Sequence, residues 1–265
     1  MSPSRSTAPA KLFPSKLDER LRVTVWNEHV HEQRDASVKK LYPEGMHAPI
    51  VEGIKRELGE SVSVRVATLE EPEHGLSETA LAETDVLTWW GHGAHDEVDD
   101  RVVERVHARV LDGMGIVVLH SAHYSKIFRR LMGTTCALRW RSDPGGERAV
   151  IWTVNPGHPI AAGLPQPIVI PHDEMYGEYF DIPPPDELVF ITSFEGGEVF
   201  RSGCCWYRGN GRVAYFSAGD QEYPVYHQPE VQRAIANCVA WAGGAARPND
   251  VPSARTGNSK RNWYM

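Results

Sequence analysis

The first half of the chain alternates short apolar runs with helical patterns, and this alternation constrains the fold more than any other feature. Four apolar runs predict strands: LRVTVWN at 21–27, VSVRVATL at 62–69, TDVLTWWG at 84–91 and GIVVLH at 115–120. Between these runs, apolar residues recur at helical spacing in two segments and predict two helices. The first segment has Ile50, Val51, Ile54 and Leu58, and the second has Val98, Val102, Val103, Val106 and Val110. Strands that alternate with helices are typical of a parallel sheet with right-handed crossovers.

After residue 140 the helical pattern gives way to short strands separated by Gly/Pro-rich loops. Five runs follow one another: RAVIWTV, QPIVI, ELVFITSF, EVFRSGCCWYR and GRVAYFSAG. Such a series predicts antiparallel strands, and the apolar residues of 231–241 predict a closing helix. The expected fold is therefore α/β, an open and mostly parallel doubly wound sheet of the flavodoxin-like type, with additional antiparallel strands in the C-terminal half.

Length and composition predict one domain at 21–243. The chain has 265 residues, of which 41% are hydrophobic, enough for one large core. Residues 1–20 and 244–265 are poor in apolar residues, so we expect a disordered N-terminal tail and a flexible C-terminal tail.

The composition also indicates which classes of partner and which cellular compartment to expect. The net charge of −7 argues against nucleic acid or a membrane as partner. The four cysteines fit neither a disulfide framework nor a zinc ribbon, and no run is a candidate signal peptide or membrane span. We therefore expect a cytoplasmic protein.

Histidines and acids follow the predicted strands at the points where those strands end. In an open α/β sheet these ends share one edge, which is where ligands bind. The first strand is followed by Glu28, His31 and His47, the third by His92 and His95, the fourth by His120 and His123, and the last by Tyr223 and His227. The loop at 168–187 adds His172, Glu174, Tyr176 and Glu178. The sequence therefore predicts a histidine-rich site at this edge.

Three chemistries suit such a site. Imidazoles and carboxylates can hold zinc or a similar divalent ion, with a position left open for substrate. Neutral histidines can instead work as general acids and bases with Glu28, Glu174 or Glu178. Ser121 lies at a strand-to-helix turn, where a nucleophile is often found, but its surroundings lack the G-x-S-x-G pattern.

Many separated segments resemble the ThuA family, which is named for trehalose utilisation. The segments include RVTVWNEHVHE, YPEGMHAPIVEGI, TLEEPEHGLSE, TDVLTWWGHGAHDEV, VLDGMGIVVLHSAHYSKIFRRLMGTTCALRWR, DEMYGEYFDIPPPDELVFI and EGGEVFRSGC. The likeness covers about residues 21–243 and implies a class I glutamine amidotransferase-like fold. True amidotransferases carry a catalytic cysteine at the turn after the fourth strand. This chain reads LHSAH there, so glutamine hydrolysis is not expected.

The resemblance implies a set of site residues and two departures from the family pattern. The matching positions are Glu28, His31, His47, His92, His95, His120, His123, Glu174, Tyr176, Glu178, Tyr223 and His227. Asp220 stands where relatives usually have histidine, and His172 stands where none is expected. Either His172 replaces the missing imidazole or a function has been lost. His29 also departs from the family, in which tyrosine is commoner at that position.

The resemblance also implies a role beside an NAD-dependent sugar dehydrogenase that oxidises a ring hydroxyl to a ketone. We expect an enzyme of isomerase or lyase type that removes the proton next to the ketone of a 3-keto disaccharide or glycoside. His92 and His120 would stabilise the enediolate oxygen or bind a divalent metal, and Glu178 or His31 would be the base. The other matching residues and His172 would bind the sugar.

Two alternatives remain open at this point. One is a non-catalytic sugar-binding or regulatory protein on the same fold, and the other is a metal-dependent hydrolase. NAD binding by this chain itself is not expected, because no G-x-G-x-x-G follows a strand. A homo-oligomer would be ordinary for a metabolic enzyme, although no sequence feature indicates it.

Overall fold

The computed structural model describes residues 20–245, and the tails predicted at 1–20 and 244–265 lie almost entirely outside the described residues. The strands are β1 (Leu21–Asn27), β2 (Val62–Thr68), β3 (Val86–Trp90), β4 (Gly115–Leu119), β5 (Arg139–Arg141), β6 (Glu147–Thr153), β7 (Ile168–Asp173), β8 (Met175–Gly177), β9 (Glu187–Ser193), β10 (Val199–Arg208) and β11 (Gly211–Phe216). The helices are α1 (His31–Arg34), α2 (Ala36–Leu41), α3 (His47–Leu58), α4 (Glu78–Ala82), α5 (Asp100–Asp112), α6 (Lys126–Met132) and α7 (Pro229–Ala242).

The expected α/β fold is confirmed. Nine strands form one sheet in the order β2-β1-β3-β4-β11-β10-β9-β6-β7, and β5 pairs with β8 in a small second sheet. The neighbours from β2 to β11 in this order are parallel, whereas the pairs from β11 to β7 are antiparallel. The mostly parallel part thus comes from the N-terminal half, as the alternating pattern predicts.

Strand β11 differs from the prediction, which placed its segment in the antiparallel series. It is antiparallel to β10 but parallel to β4, so it joins the two parts of the sheet. Five of its six residues are buried, which suits a strand covered on both faces. Strand β11 follows β10 through a hairpin and lies at the centre of the sheet. The sequence around a hairpin predicts only the antiparallel pairing of its two strands, and the parallel pairing with β4 on the other side is not visible locally.

Helix α5 begins and ends at residues with a local physical reason to bound it. The buried valines of α5 face the sheet. The helix was predicted from Val98 but begins at Asp100, because the Asp99 carboxylate caps its N-terminus by accepting from the Arg101 N–H. Helix α5 ends at Gly113, whose φ is 128°. Helix α5 packs against α6, and α3 packs against α7.

The sheet order sets the position of the site. Strands β1, β3, β4 and β11 are parallel neighbours, so their carboxyl ends lie at the same edge. Every residue of β3 and β4 is buried, and the histidines follow directly where these strands end. Within residues 20–245, no helix is long and apolar enough to cross a membrane.

Candidate active site

The chain turns sharply at the end of β4, and His120 occupies the turn. Its φ is 46°, a left-handed conformation that is uncommon for a residue other than glycine. The backbone then forms a 3-10 turn from His120 to Tyr124, and Ser125 caps α6 through the Phe128 N–H. The Tyr215 hydroxyl donates to the His120 carbonyl at 3.2 Å and helps to hold the turn. Strain of this kind often marks a functional residue.

The His120 ring is completely buried and lies among oxygen atoms. Its Nδ1 donates to the Ser217 carbonyl at 2.7 Å, which fixes the ring orientation. Its Nε2 lies 3.4 Å from Glu174 Oε2 and 3.5 Å from Asp220 Oδ2. The Tyr176 hydroxyl is 3.1 Å from the same nitrogen, and its ring stacks on the imidazole at 4.6 Å between centroids. We call His120, Glu174 and Asp220 the His120 cluster.

The charges of the His120 cluster are strongly coupled. Burial alone would lower the pKa of His120, but the Asp220 and Glu174 carboxylates outweigh burial and raise the pKa to about 10. Burial likewise raises the pKa of the neighbouring Asp173 to about 7, although the positive charge of His120 opposes this shift. Without a bound ion, His120 is therefore an imidazolium at neutral pH.

A second unit joins β1 to the loop after β3. The buried Glu28 carboxylate accepts from the backbone N–H groups of His92 and Gly93, at 2.8 and 2.9 Å. The His92 Nδ1 lies 2.7 Å from the His31 Nε2, so one imidazole donates to the other. Burial, together with His31 and His120, lowers the pKa of His92 to about 4. The His92 ring is therefore neutral at pH 7.

These groups border a pocket of about 570 Å³, a volume within the range of small-ligand sites. Its lining consists of His92, His95, Ser121, His123, Tyr124, Ala137, Leu138, Trp140, Ser142, Glu174, Tyr176, Asp220, Gln221 and Glu222. Burial is the largest cause that lowers the pKa of His95 to about 4 and that of His123 to about 3. The pocket thus presents three neutral imidazoles beside a carboxylate pair.

Other predicted site residues lie behind this lining. His120 touches three of the lining side chains, and His31 reaches the pocket through His92. Glu28 holds the loop that carries His92. The Ser121 hydroxyl donates to the Gly91 carbonyl at 2.9 Å, which makes it a support for the same loop rather than a nucleophile beside a base.

Glu178, predicted as a base, lies outside the pocket lining. Its carboxylate accepts from the Phe180 N–H and from the backbone and guanidinium of Arg201. Burial would raise the pKa of Glu178, but pairing with Arg201 outweighs burial and lowers it. Its place outside the lining and its pairing with Arg201 keep this carboxylate away from a substrate in the pocket.

Four residues predicted to bind substrate also lie outside the lining. His172 is exposed on β7 and is absent from the His120 cluster, so it does not stand in for the imidazole that Asp220 replaces. The Tyr223 hydroxyl donates to the Asp143 carbonyl, and His227 stacks on Tyr42. His47 lies beside His29 at the start of α3.

The sequence pattern did not indicate two aromatic residues of the pocket. Trp140 is 65% exposed and Tyr124 is 46% exposed, and both line the opening. Tyr124 directly follows His123, so its position after the end of β4 could have predicted that it lies at the site. Trp140 lies on the short strand β5, which carries no periodic pattern, and only its pairing with β8 brings it to the site.

Two groups of side chains among the described residues have the composition and spacing of metal ligands. One is the His120 cluster and the other consists of His29, Glu32 and His47; in each, the ligand atoms lie within 4.8 Å of one another. In a tetrahedral site, ligand atoms about 2.1 Å from zinc are about 3.4 Å apart, which agrees with the 3.4 and 3.5 Å measured from His120. The donation of Nδ1 to a backbone carbonyl is also the usual support of a metal-bound histidine. His92, predicted as a ligand, belongs to neither group.

Comparisons with known proteins agree with the fold. A ThuA-like protein from Parabacteroides merdae has a TM-score of 0.61 at 15% identity, with 89% of this chain and 94% of that chain covered. A ThuA-like protein from Bacteroides uniformis has a TM-score of 0.58 at 14% identity, with coverage of 89% and 95%. A cytoplasmic protein from Salmonella typhimurium has a TM-score of 0.53 at 13% identity, with coverage of 86% and 99%.

Sequence comparison assigns the family. No curated protein is significantly similar to the chain. The family model of ThuA, described as trehalose utilisation, matches residues 22–242. This chain therefore belongs to the ThuA family, as its sequence resemblance predicted.

Proposed function

We propose that this protein is an enzyme of carbohydrate metabolism that binds a 3-keto glycoside and removes the proton next to its ketone. The observation that carries the proposal is the His120 cluster, a buried imidazole between two carboxylates beside a pocket lined with neutral histidines. The membership of the ThuA family supports the carbohydrate part of the proposal. An NAD-dependent dehydrogenase would supply the ketone.

The His120 cluster is the place for the ketone oxygen. Proton removal next to a ketone leaves negative charge on that oxygen, which a cation beside it stabilises. In the absence of an ion, the His120 imidazolium lies behind the lining and offsets one of the two carboxylate charges. A divalent ion held by His120, Glu174 and Asp220 would replace the proton on Nε2 and would supply Lewis-acid polarisation to the ketone oxygen.

His92 is the proton acceptor in this scheme. Its ring lines the pocket, is neutral at pH 7 and is backed at 2.7 Å by His31, which can share the incoming proton. The electron pair of the broken C–H bond moves to the ketone oxygen to form an enediolate. Return of the proton to the former ketone carbon, with transfer of the adjacent hydroxyl proton to the enediolate oxygen, gives isomerisation. If the ketone re-forms and the glycosidic C–O bond breaks, the departing oxygen takes the proton from His92 and the result is elimination.

The opening of the pocket suits a sugar ring. Trp140 and Tyr124 are exposed side chains of the pocket lining, although the Arg129 guanidinium covers one face of the Tyr124 ring. Exposed apolar surface that adjoins a pocket commonly marks a binding site. Polar groups deeper in the pocket can hydrogen-bond sugar hydroxyls. A disaccharide with one ring against the aromatic residues would place its other ring near His92.

The test is proton NMR of 3-keto-trehalose and other 3-keto glycosides in heavy water. With wild type we expect deuterium next to the ketone, or an eliminated product. The His92→Gln variant should lose this activity by at least about 100-fold, the usual lower contribution of a general base. His107→Ala, on α5 away from the pocket, is the matched control.

Unchanged spectra with wild type across the whole set of substrates would overturn the proton-abstraction proposal. Binding of these sugars without turnover would favour a sugar-binding or regulatory protein. The His120 cluster also favours a second candidate, a metal-dependent hydrolase, because an imidazole and two carboxylates can hold a divalent ion. Hydrolysis that stops with a chelator and leaves the ketone neighbour undeuterated would identify that activity.

A further inference from the structure

A second cluster of possible metal ligands lies at the turn between β1 and α1, and it belongs neither to the pocket nor to the scheme above. His29 and Glu32 come from this turn and from α1, and His47 is the first residue of α3. Their ligand atoms lie within 4.8 Å of one another. The His29 and His47 rings meet edge to face, with centroids 5.4 Å apart. We call these three residues the His29 cluster.

Glu32 provides an independent sign of a missing partner. The residue is 1% exposed, and its Oε1 accepts from the Asn27 amide and from the Met46 N–H, both at 2.7 Å. Its Oε2 is buried and has no hydrogen-bond partner among the described residues. A buried carboxylate oxygen without a partner is unfavourable unless a cation or a donor faces it.

One histidine of this cluster has an unprotonated ring nitrogen, which metal binding requires. The Asn27 Nδ2 donates to Glu32 and lies 3.0 Å from the His47 Nδ1, so this ring nitrogen carries a lone pair, for which an ion would compete with the Asn27 N–H. Two imidazoles and one carboxylate are a usual ligand set for zinc and similar transition ions.

We infer that His29, Glu32 and His47 form a second site for a divalent transition-metal ion of the zinc type. An ion there ties the turn after β1 to the first turn of α3. It thereby steadies His31, which lies between His29 and Glu32 in sequence and contacts His92. The site does not depend on the proposed sugar chemistry.

The test measures Co²⁺ binding by visible absorption and Zn²⁺ binding by calorimetry. Both use a Glu174→Gln, Asp220→Asn background in which the His120 cluster is disabled. We expect this background to bind one ion per chain. Adding His29→Asn or His47→Gln should weaken binding by more than about 100-fold, since loss of a ligand exceeds the effect of outer-shell changes. Asn tolerates the positive φ at position 29.

Two results would overturn the inference: absence of a stoichiometric ion in the background variant, or equal affinity after loss of either imidazole. The His107→Ala change in the same background should leave the affinity unchanged. Circular dichroism of the ion-free proteins checks folding, and if His47→Gln fails to fold, His29→Asn decides the question. Because the readout is ion binding, failure of the keto-sugar reaction would not affect this result.

Discussion

At the scale of the residue, His120 shows how position and environment together create a reactive group. The end of β4 delivers the imidazole to the site, and the Ser217 carbonyl orients it. Two carboxylates then reverse the effect that burial has on its pKa. The same burial without such partners keeps His92, His95 and His123 neutral. Identical side chains in and behind the lining of one pocket therefore differ in charge.

We expect the Asp220→Asn variant to lower the pKa of His120 from its value of about 10, because one of the two carboxylates that stabilise the imidazolium is lost. Imidazole resonances followed by NMR across a pH titration of the ion-free protein would measure this. Asp112→Asn, on the exposed end of α5, is the matched control. An unchanged His120 titration would contradict the assigned role of Asp220.

We expect Trp140→Ala to weaken substrate binding with little effect on folding. Loss of an aromatic stacking partner is worth about 0.5–1.5 kcal/mol, which is a rise in KM of about 2- to 10-fold. Stability should change by no more than about 0.5 kcal/mol, because the side chain is largely exposed. Trp152→Ala, an exposed tryptophan on β6, is the control. A fall in kcat at constant KM would argue against a binding role.

At the scale of the element, the site is assembled by strand ends rather than by any single motif. The ends of β1, β3 and β4 supply Glu28, His92 and His120, and the chain after β11 supplies Asp220. Glu28 links two of these elements, because its carboxylate accepts from the loop after β3. The antiparallel half contributes through β7 and β8, whose connection carries Glu174.

We expect Glu28→Gln to destabilise the fold by about 1–3 kcal/mol, because an amide group would face two backbone N–H groups that need acceptors. The change should also displace His92 and alter its contact with His31. Urea unfolding measures the free energy, and NMR of the histidine rings reports the displacement. Glu44→Gln, on an exposed loop, should change neither. Wild-type stability in Glu28→Gln would show that the loop does not depend on this carboxylate.

At the scale of the whole molecule, the neutral histidines of the pocket couple folding to pH. Burial lowers the pKa of His95 to about 4 in the folded protein. In the unfolded chain the ordinary value of about 6.5 applies, so the unfolded state binds more protons between these two values. The free energy of unfolding contributed by His95 is therefore greatest above pH 6.5 and falls as the pH drops toward 4.

We expect urea unfolding at pH 5 to show a lower free energy of unfolding than at pH 7.5. The His95→Gln variant should show a smaller difference, because one of the groups responsible is removed. His172→Gln, at an exposed histidine of β7, controls for the loss of an imidazole. Equal pH dependence in wild type and His95→Gln would contradict the assignment to His95.

Local patterns in the sequence were sufficient to predict the alternating strands and helices, the mostly parallel sheet and the enrichment of histidine at strand ends. The strands and helices follow from the periodicity of neighbouring residues. The shared edge follows because parallel strands point in the same direction. The family resemblance is carried by many separated motifs, and it too is evident from the amino-acid sequence alone.

Only the tertiary structure decided which polar residues share a pocket. Pairing of β11 with β4 brings Asp220 to His120 although the two residues are far apart in the chain, whereas Arg201 removes Glu178 from the lining. Trp140 joins the site through the β5–β8 pair, and Glu32 is left with an unpaired buried oxygen among the residues described. These outcomes depend on long-range contacts, burial and charge, which no local spacing of residues encodes.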